Sequence, residues 1–281
     1  MRTLLALISA AMLASPAAAA DRAQLDARAK ALGFKAHEQI AKDALEGARL
    51  VKGGGGAVGE TRLGGRPDLP PAMKWPTCKG RRLSFLGQVR LADVPSGALP
   101  HAGVLTVFGD ATEDADGFVP IEDTYGRVGK DTCVIVRELH GALERRAFPR
   151  GVERFDNVPV RLKRTLTVPD SYIAESRYGF KDDRKLQDRW FELSAEAAVG
   201  RLHHLGEDEY DGIGYQLLGW PTPVQDSPLY GCGGRTTKRT YRLLFQLDLG
   251  IGDGGVLYLT GTPADLRAGR FNRLCAEFQE G

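Results

Sequence analysis

Apolar residues first recur every three or four positions. Leu25, Ala29, Leu32, Ala36, Ile40, Ala44, Ala48 and Val51 make one stripe, which predicts a helix over residues 22–51 docked on a core. Acidic and basic residues mix between them, unlike the Lys/Arg-rich face of a membrane-surface helix. Gly53–Gly56 ends the run, since four glycines lose too much backbone entropy to stay helical. No GK[ST] follows these glycines, so they read as a turn and not as a phosphate cradle. The period then shortens to two. Leu83, Phe85, Val89 and Leu91 face one way and Ser84, Gln88 and Arg90 the other, predicting a half-buried strand over 82–91. Further strands are expected at 103–110 and 133–139, with a loop at 111–131. Residues 140–182, with Pro149, Pro159 and Pro169, read as irregular. A second helix is predicted at 183–199, where Leu186, Trp190, Leu193 and Ala197 form the apolar stripe and Gly200 the stop.

The strand pattern then repeats. Gly65, Pro67 and Cys78 recur 154 positions later as Gly219, Pro221 and Cys232. Tyr241, Leu243, Phe245, Leu247 and Leu249 alternate with Arg242, Gln246 and Asp248, so Gln246 echoes Gln88. Gly103-Val104-Leu105 returns as Gly255-Val256-Leu257, and 273–279 takes the place of 133–139. Each half, about 62–139 and 216–279, is a Pro/Gly-rich lead-in with a cysteine followed by three strands. Two such halves are expected to pack about a pseudo-twofold axis and share one core. The expected fold class is α+β: mainly antiparallel sheets, internally duplicated, with flanking helices.

The start of the chain changes the compartment. Arg2, the apolar run Leu4–Leu13, Pro16 and Ala18-Ala19-Ala20 before Asp21 fit a secretory signal peptide over 1–20. The run is far shorter than the roughly 20 residues of a membrane span. The predicted organisation is a signal peptide at 1–20, a helix and Gly-rich linker at 21–56, and a domain at 57–281. The expected location is periplasmic or secreted, with no transmembrane segment after cleavage. In that setting four cysteines, Cys78, Cys133, Cys232 and Cys275, imply two disulfides. Three connectivities remain open, and all respect the repeat.

Composition narrows the chemistry. With 38 Lys and Arg against 36 Asp and Glu, the net charge of +2 gives no support for nucleic-acid binding. Arg81-Arg82 and Arg145-Arg146 are short clusters that read as solvated surface. Residues 112–123 nearly match a calcium loop through Asp114, Asp116 and Gly117, but strand-like flanks make a solvated acidic loop the expectation. His203-His204 with Glu207, Asp208 and Glu209 reads as a polar linker, and no metal or cofactor is expected. No G-x-S-x-G, P-loop or HExxH is present.

Longer motifs carry a resemblance. RLGGRPDLPP, WPTC, LSFLGQVRLADVP and GVLTVF, then LLGWPTPVQDSP, LLFQLDL, GDGGVLYL and DLRAGRFNRLCAEFQ, resemble the YwqG-like family from about Arg62 to the C-terminus. That bacterial family has no assigned biochemical function. The resemblance implies a compact duplicated α+β domain and carries over no catalytic residue. The expected function is a non-catalytic binding or protein-interaction module, its partner a protein or envelope ligand. The candidate surface is Trp75, Gln88, Trp220, Gln225, Gln246 and Asp253. The same glutamines could instead satisfy backbone groups of the lead-ins, and the tryptophans fill the seam. The alternative function is a hydrolase acting on cell-envelope material, marked by paired acids in a cleft.

Overall fold

The computed structural model describes residues 22–199, 214–236 and 240–281, apart from positions 55, 96, 116, 118 and 253. Helices α1 (Arg22–Ala31) and α2 (His37–Asp43) lead into strand β1 (Leu45–Lys52). Short strands β2 (Arg62–Leu63), β3 (Asp68–Leu69), β4 (Thr77–Cys78) and β5 (Arg81–Arg82) precede the longer β6 (Ser84–Arg90) and β7 (Val104–Gly109). Next come β8 (Tyr125–Arg127), β9 (Ile135–Leu139), β10 (Glu144–Arg145) and β11 (Val158–Thr167). Helices α3 (Ser171–Tyr178) and α4 (Arg184–Val199) follow. The chain ends with β12 (Tyr215–Leu218), β13 (Arg242–Ile251), β14 (Gly255–Gly261), α5 (Pro263–Arg267) and β15 (Cys275–Gln279).

Eleven strands form one sheet in the order β8-β15-β14-β13-β12-β1-β11-β2-β6-β7-β9. Every described pairing is antiparallel. With helices outside it, the class is α+β. The edge strands β8 and β9 are joined by residues 128–134 alone, and Gly129 N–H donates to the Val134 carbonyl at 2.7 Å. So short a link brings both edges together, and the sheet curls back on itself. One apolar core fills the curl. Leu63, Val89, Leu105 and Val107 meet Leu217, Phe245, Leu247, Leu257 and Leu259 there. A second core packs α1, α2, α3 and α4 around the buried Trp190, which meets Phe34 edge-on at 5.4 Å. Among the described residues no helix is long and apolar enough to cross a membrane.

Four expectations are corrected. The helix predicted over 22–51 is two helices and a strand. The apolar spacing runs on through Ala48 and Val51, but β1 lies between β11 and β12, and their backbone groups outweigh the local preference. Gly47 suits that site, because a Cβ would stand 2.9 Å from the Leu218 carbonyl oxygen. Residues 140–182 are not irregular throughout. They hold β10, β11 and α3, and β11 pairs with β1 along all of β1 despite Pro159. The loop predicted at 111–131 likewise contains β8.

The fourth correction concerns phase. Phe85 was expected beside Val89 and Leu91. A bulge between Phe85 and Gly87 puts an extra residue into β6 and reverses the alternation. Leu83 and Phe85 therefore face outward with Leu69, Cys78 and Phe108, while Val89 and Leu91 face the inner core. A bulge between Leu243 and Phe245 does the same in β13, sending Leu243 outward to Val256 and Tyr258.

The cysteines pair as Cys78–Cys133 and Cys232–Cys275, each with Cα atoms 5.5 Å apart. Each bridge ties a lead-in to the strand region after it.

Candidate functional site

Of the six residues singled out from sequence, five are described, and each is engaged within the fold. Gln88 is wholly buried on the outer face of β6. Its Oε1 accepts from Asp68 N–H at 3.1 Å, and its Nε2 donates to the Glu60 carbonyl at 2.8 Å and to Asp68 Oδ2 at 2.9 Å. Gln246 is equally buried, and its Oε1 accepts from Thr222 N–H at 3.0 Å. Each glutamine clamps backbone of the segment that precedes its strand. Trp75 donates to the Leu83 carbonyl at 2.9 Å and packs edge-on against Phe108. Trp220 donates to the Asp43 carbonyl at 2.9 Å and lies under Arg242, whose guanidinium carbon is 5.3 Å from the ring centre. Gln225 is exposed and donates to the Glu280 carbonyl at 2.8 Å. Asp253 lies outside the described residues.

Beside Gln88 the structure builds a charged centre that sequence reasoning missed. Arg62 and Gln88 are directly paired between β2 and β6 and share the outer face. Arg62 is 1% exposed and Asp68 0%. The Asp68 carboxylate accepts from Gly59 N–H at 2.7 Å and from Arg145 Nε at 3.0 Å, and it pairs with Arg62 Nη2. Burial alone would raise the Asp68 pKa, but Arg145, the Gly59 N–H and Arg62 outweigh it and hold the group below its ordinary value. Two guanidinium groups thus share one carboxylate, leaving local positive charge. β10 delivers Arg145 by pairing with β3, opposite Asp68.

Arg145 opens from this centre into a cleft of about 480 Å³, lined also by Arg66, Phe148, Arg154, Phe155 and Asn157. Arg66 follows Gly64 and Gly65, at φ of 55° and 64°. Gly65 N–H donates to the Phe155 carbonyl at 3.0 Å, and a Cβ on Gly65 would stand 2.5 Å from Asn157 Oδ1. Only glycine lets the two walls meet this closely. Arg154 lies over the Phe148 ring at 5.2 Å. Arg66 and Arg154 are exposed and have no carboxylate partner among the described residues, although Asp156 stands on the rim. The cleft size suits a small ligand, and guanidinium forks suit carboxylate or phosphate. Arg145 and Arg154 belong to one stretch that also holds Arg146 and Arg150, whereas Arg66 lies about 80 residues earlier, so the sequence hinted at only part of this lining.

Other chemistry is less developed. Among the described residues no group of three His, Cys, Asp or Glu side chains could hold a metal. Asp116 and the run from His203 to Glu209 fall outside them. Burial raises four acids; Glu122 is raised further by the charges of Glu280 and Asp123, and the other three are engaged structurally. Asp170 rises to about 6, accepts from Ser227 Oγ at 2.6 Å and caps α3 through Ile173 N–H. Asp110 pairs with Arg81 at 3.1 Å, and Glu277 accepts from Gln279 at 2.6 Å.

A family model described as a domain of unknown function (DUF1963) matches residues 61–279, and the chain belongs to that family. A search among curated proteins finds no match.

Proposed function

We propose that this DUF1963 member, YwqG-like in its motifs, is an exported, non-catalytic binding module of the cell envelope whose ligand is anionic. One observation carries the ligand class: Arg66, Arg145 and Arg154 converge on a single cleft with Phe148 and Phe155 as apolar walls. Such a site can fork-bind a phosphate or carboxylate while its rings cover an attached body. Export is supported by the N-terminal apolar run with its small-residue stop, and by two disulfides, which persist in oxidising compartments. The raised acids Asp110, Asp170 and Glu277 serve structural partners, and neither they nor Glu122, raised beside Glu280, line the arginine cleft, which favours binding over envelope hydrolysis there.

The scaffold is proposed to be a duplication. Gln88 holds Asp68 N–H and Gln246 holds Thr222 N–H, and Thr222 lies 154 residues after Asp68. Both strands are bulged two residues before the glutamine. Gly64-Gly65 and Leu218-Gly219 both have positive φ. The strand order on the two sides of the β1–β11 pair runs β2-β6-β7-β9 and β12-β13-β14-β15. On this correspondence Arg62 matches Gln216, Arg66 matches Trp220 and Arg90 matches Asp248. An arginine required by the scaffold would recur, so Arg66 is a feature of the first half alone, and Arg145 and Arg154 come from the segment between the halves.

The test is calorimetric titration of the mature oxidised protein with pyrophosphate at low salt. Saturable binding that disappears in Arg66→Gln/Arg154→Gln is expected; equal heats from parent and variant would sink the cleft. Intact mass of the exported chain should show cleavage after Ala20, and a retained product starting at Met1 would contradict export.

A further inference from the structure

We propose that the arginine cleft is one end of a longer basic track that takes a linear chain bearing phosphate groups. The inference rests on the anion-binding function above and extends it to a ligand class. Its new element is a second cleft of about 400 Å³, lined by Thr77, Gly80, Arg81, Arg82, Thr112 and Arg150. One segment joins the two clefts: Arg150 lines the second and Arg154 the first. Four residues reach at most ~14 Å, so the clefts are neighbours.

The joining segment is held at several points. Arg82 Nη1 donates to the Arg150 carbonyl at 3.1 Å, and Glu153 N–H donates to Thr112 Oγ1 at 3.1 Å. Phe148, under Arg154, rests against Trp75 with ring centres 6.1 Å apart. The arginines are therefore presented from an anchored backbone, which lowers the ordering cost of binding. In each cleft one arginine is already engaged by a buried acid, Arg145 by Asp68 and Arg81 by Asp110. Arg66, Arg82, Arg150 and Arg154 have no carboxylate partner among the described residues. Four guanidinium groups without such a partner thus line two neighbouring clefts of a chain whose net charge is only +2, with Glu153 in the joining segment and Asp156 on the rim as the nearby acids.

A single small anion fills one cleft. A chain of anions that fills the first gains the second as an intramolecular contact, at high effective concentration. Phosphate fits better than carboxylate. The guanidinium groups come from separate segments, around Arg66, Arg145 and Arg154 in one cleft and around Arg81 and Arg150 in the other. Donors out of one plane suit a tetrahedral acceptor, whereas a carboxylate is planar.

The experiment titrates the mature, oxidised protein with tripolyphosphate and with long-chain sodium polyphosphate over a range of salt. The long chain should bind at least tenfold tighter, with log K falling linearly in log salt. Arg150→Gln and Arg154→Gln should each weaken long-chain binding severalfold and lower the salt slope by about one. Both side chains are exposed, so folding should not change. If Arg150→Gln leaves long-chain affinity and slope unchanged, the track is refuted while the single cleft stands. If Arg154→Gln also changes neither probe, the anion-binding function falls with it. Polygalacturonate binding as tightly as polyphosphate would overturn the phosphate assignment. A single-stranded oligothymidylate binding more tightly still would overturn it in favour of base stacking.

Discussion

Replacing Asp68 by asparagine tests the charged centre behind the cleft. The variant keeps the volume but removes the charge that Arg62 and Arg145 share. One acceptor oxygen becomes a donor facing Gly59 N–H, Gln88 Nε2 or a guanidinium group, all of them donors. Arg62 is 1% exposed, so its charge would be buried without compensation. Breaking a buried pair from one side costs about 3–5 kcal/mol. The Arg145 side chain is 33% exposed, and water screens its share to at most about 1 kcal/mol. A loss of roughly 3–4 kcal/mol is expected, a large part of the 5–15 kcal/mol typical of domains. Urea unfolding of the oxidised protein at pH 7 measures it. Arg62→Met/Asp68→Leu, which removes both charges, should lose less than Asp68→Asn alone. The acid limb gives a second readout. Because the folded Asp68 pKa is depressed, its contribution is present above the ordinary value of 3.8 and is lost as pH falls through the folded value. The parent should therefore lose more stability than Asp68→Asn across that range. A loss below about 1 kcal/mol at pH 7 would refute the reasoning, since the magnitude rests on Arg62 being left uncompensated.

Other outcomes follow from the same structure. Thiol titration in denaturant without reductant should find no free thiol, and replacing Cys78 and Cys133 together by alanine should cost about 4 kcal/mol in urea unfolding by the chain-entropy estimate for their separation of 55. Asp170 should act in the opposite sense to Asp68. Its rise from 3.8 to about 6 means the folded state binds the proton more tightly, so stability falls as pH rises from about 4 to 6, by on the order of 3 kcal/mol. Asp170→Asn can still cap α3 and should flatten that slope; an unchanged profile by denaturation at pH 4.5 and 7 would count against it. Gly64→Ala should cost more than Gly80→Ala in thermal unfolding. Both have positive φ, but a Cβ at Gly64 meets the Asp156 carbonyl, whereas nothing lies within 4 Å of one at Gly80. Equal losses would mean the contact across the cleft wall is unimportant.

The amino-acid pattern alone located what depends on local periodicity. β6, β7, β13, β14 and β15 lie within or close to the alternating runs, and α4 matches its stripe through Trp190 and Leu193 to within a residue. Two disulfides followed from four cysteines in a chain with an export-type start. The glutamines of β6 and β13 were legible as a repeated feature, together with their possible use in satisfying lead-in backbone groups. Tertiary structure decided the rest. β1 continued a helical spacing and became a strand because neighbours on both sides supplied its hydrogen bonds. β11 was hidden by Pro159, Arg161, Lys163 and Arg164, which a strand can carry where its pairing and inner face hold it. The bulges in β6 and β13 leave the composition unchanged but reverse which side chains enter the core, so simple alternation misplaces Leu83, Phe85 and Leu243. Disulfide connectivity needed Cα distances. The arginine clefts needed them even more: Arg145, Arg150 and Arg154 come from one arginine-rich stretch, but Arg66 and Arg81 join them only through how separated segments fold together. Periodicity records which face of an element is apolar, while only packing determines which distant charges meet.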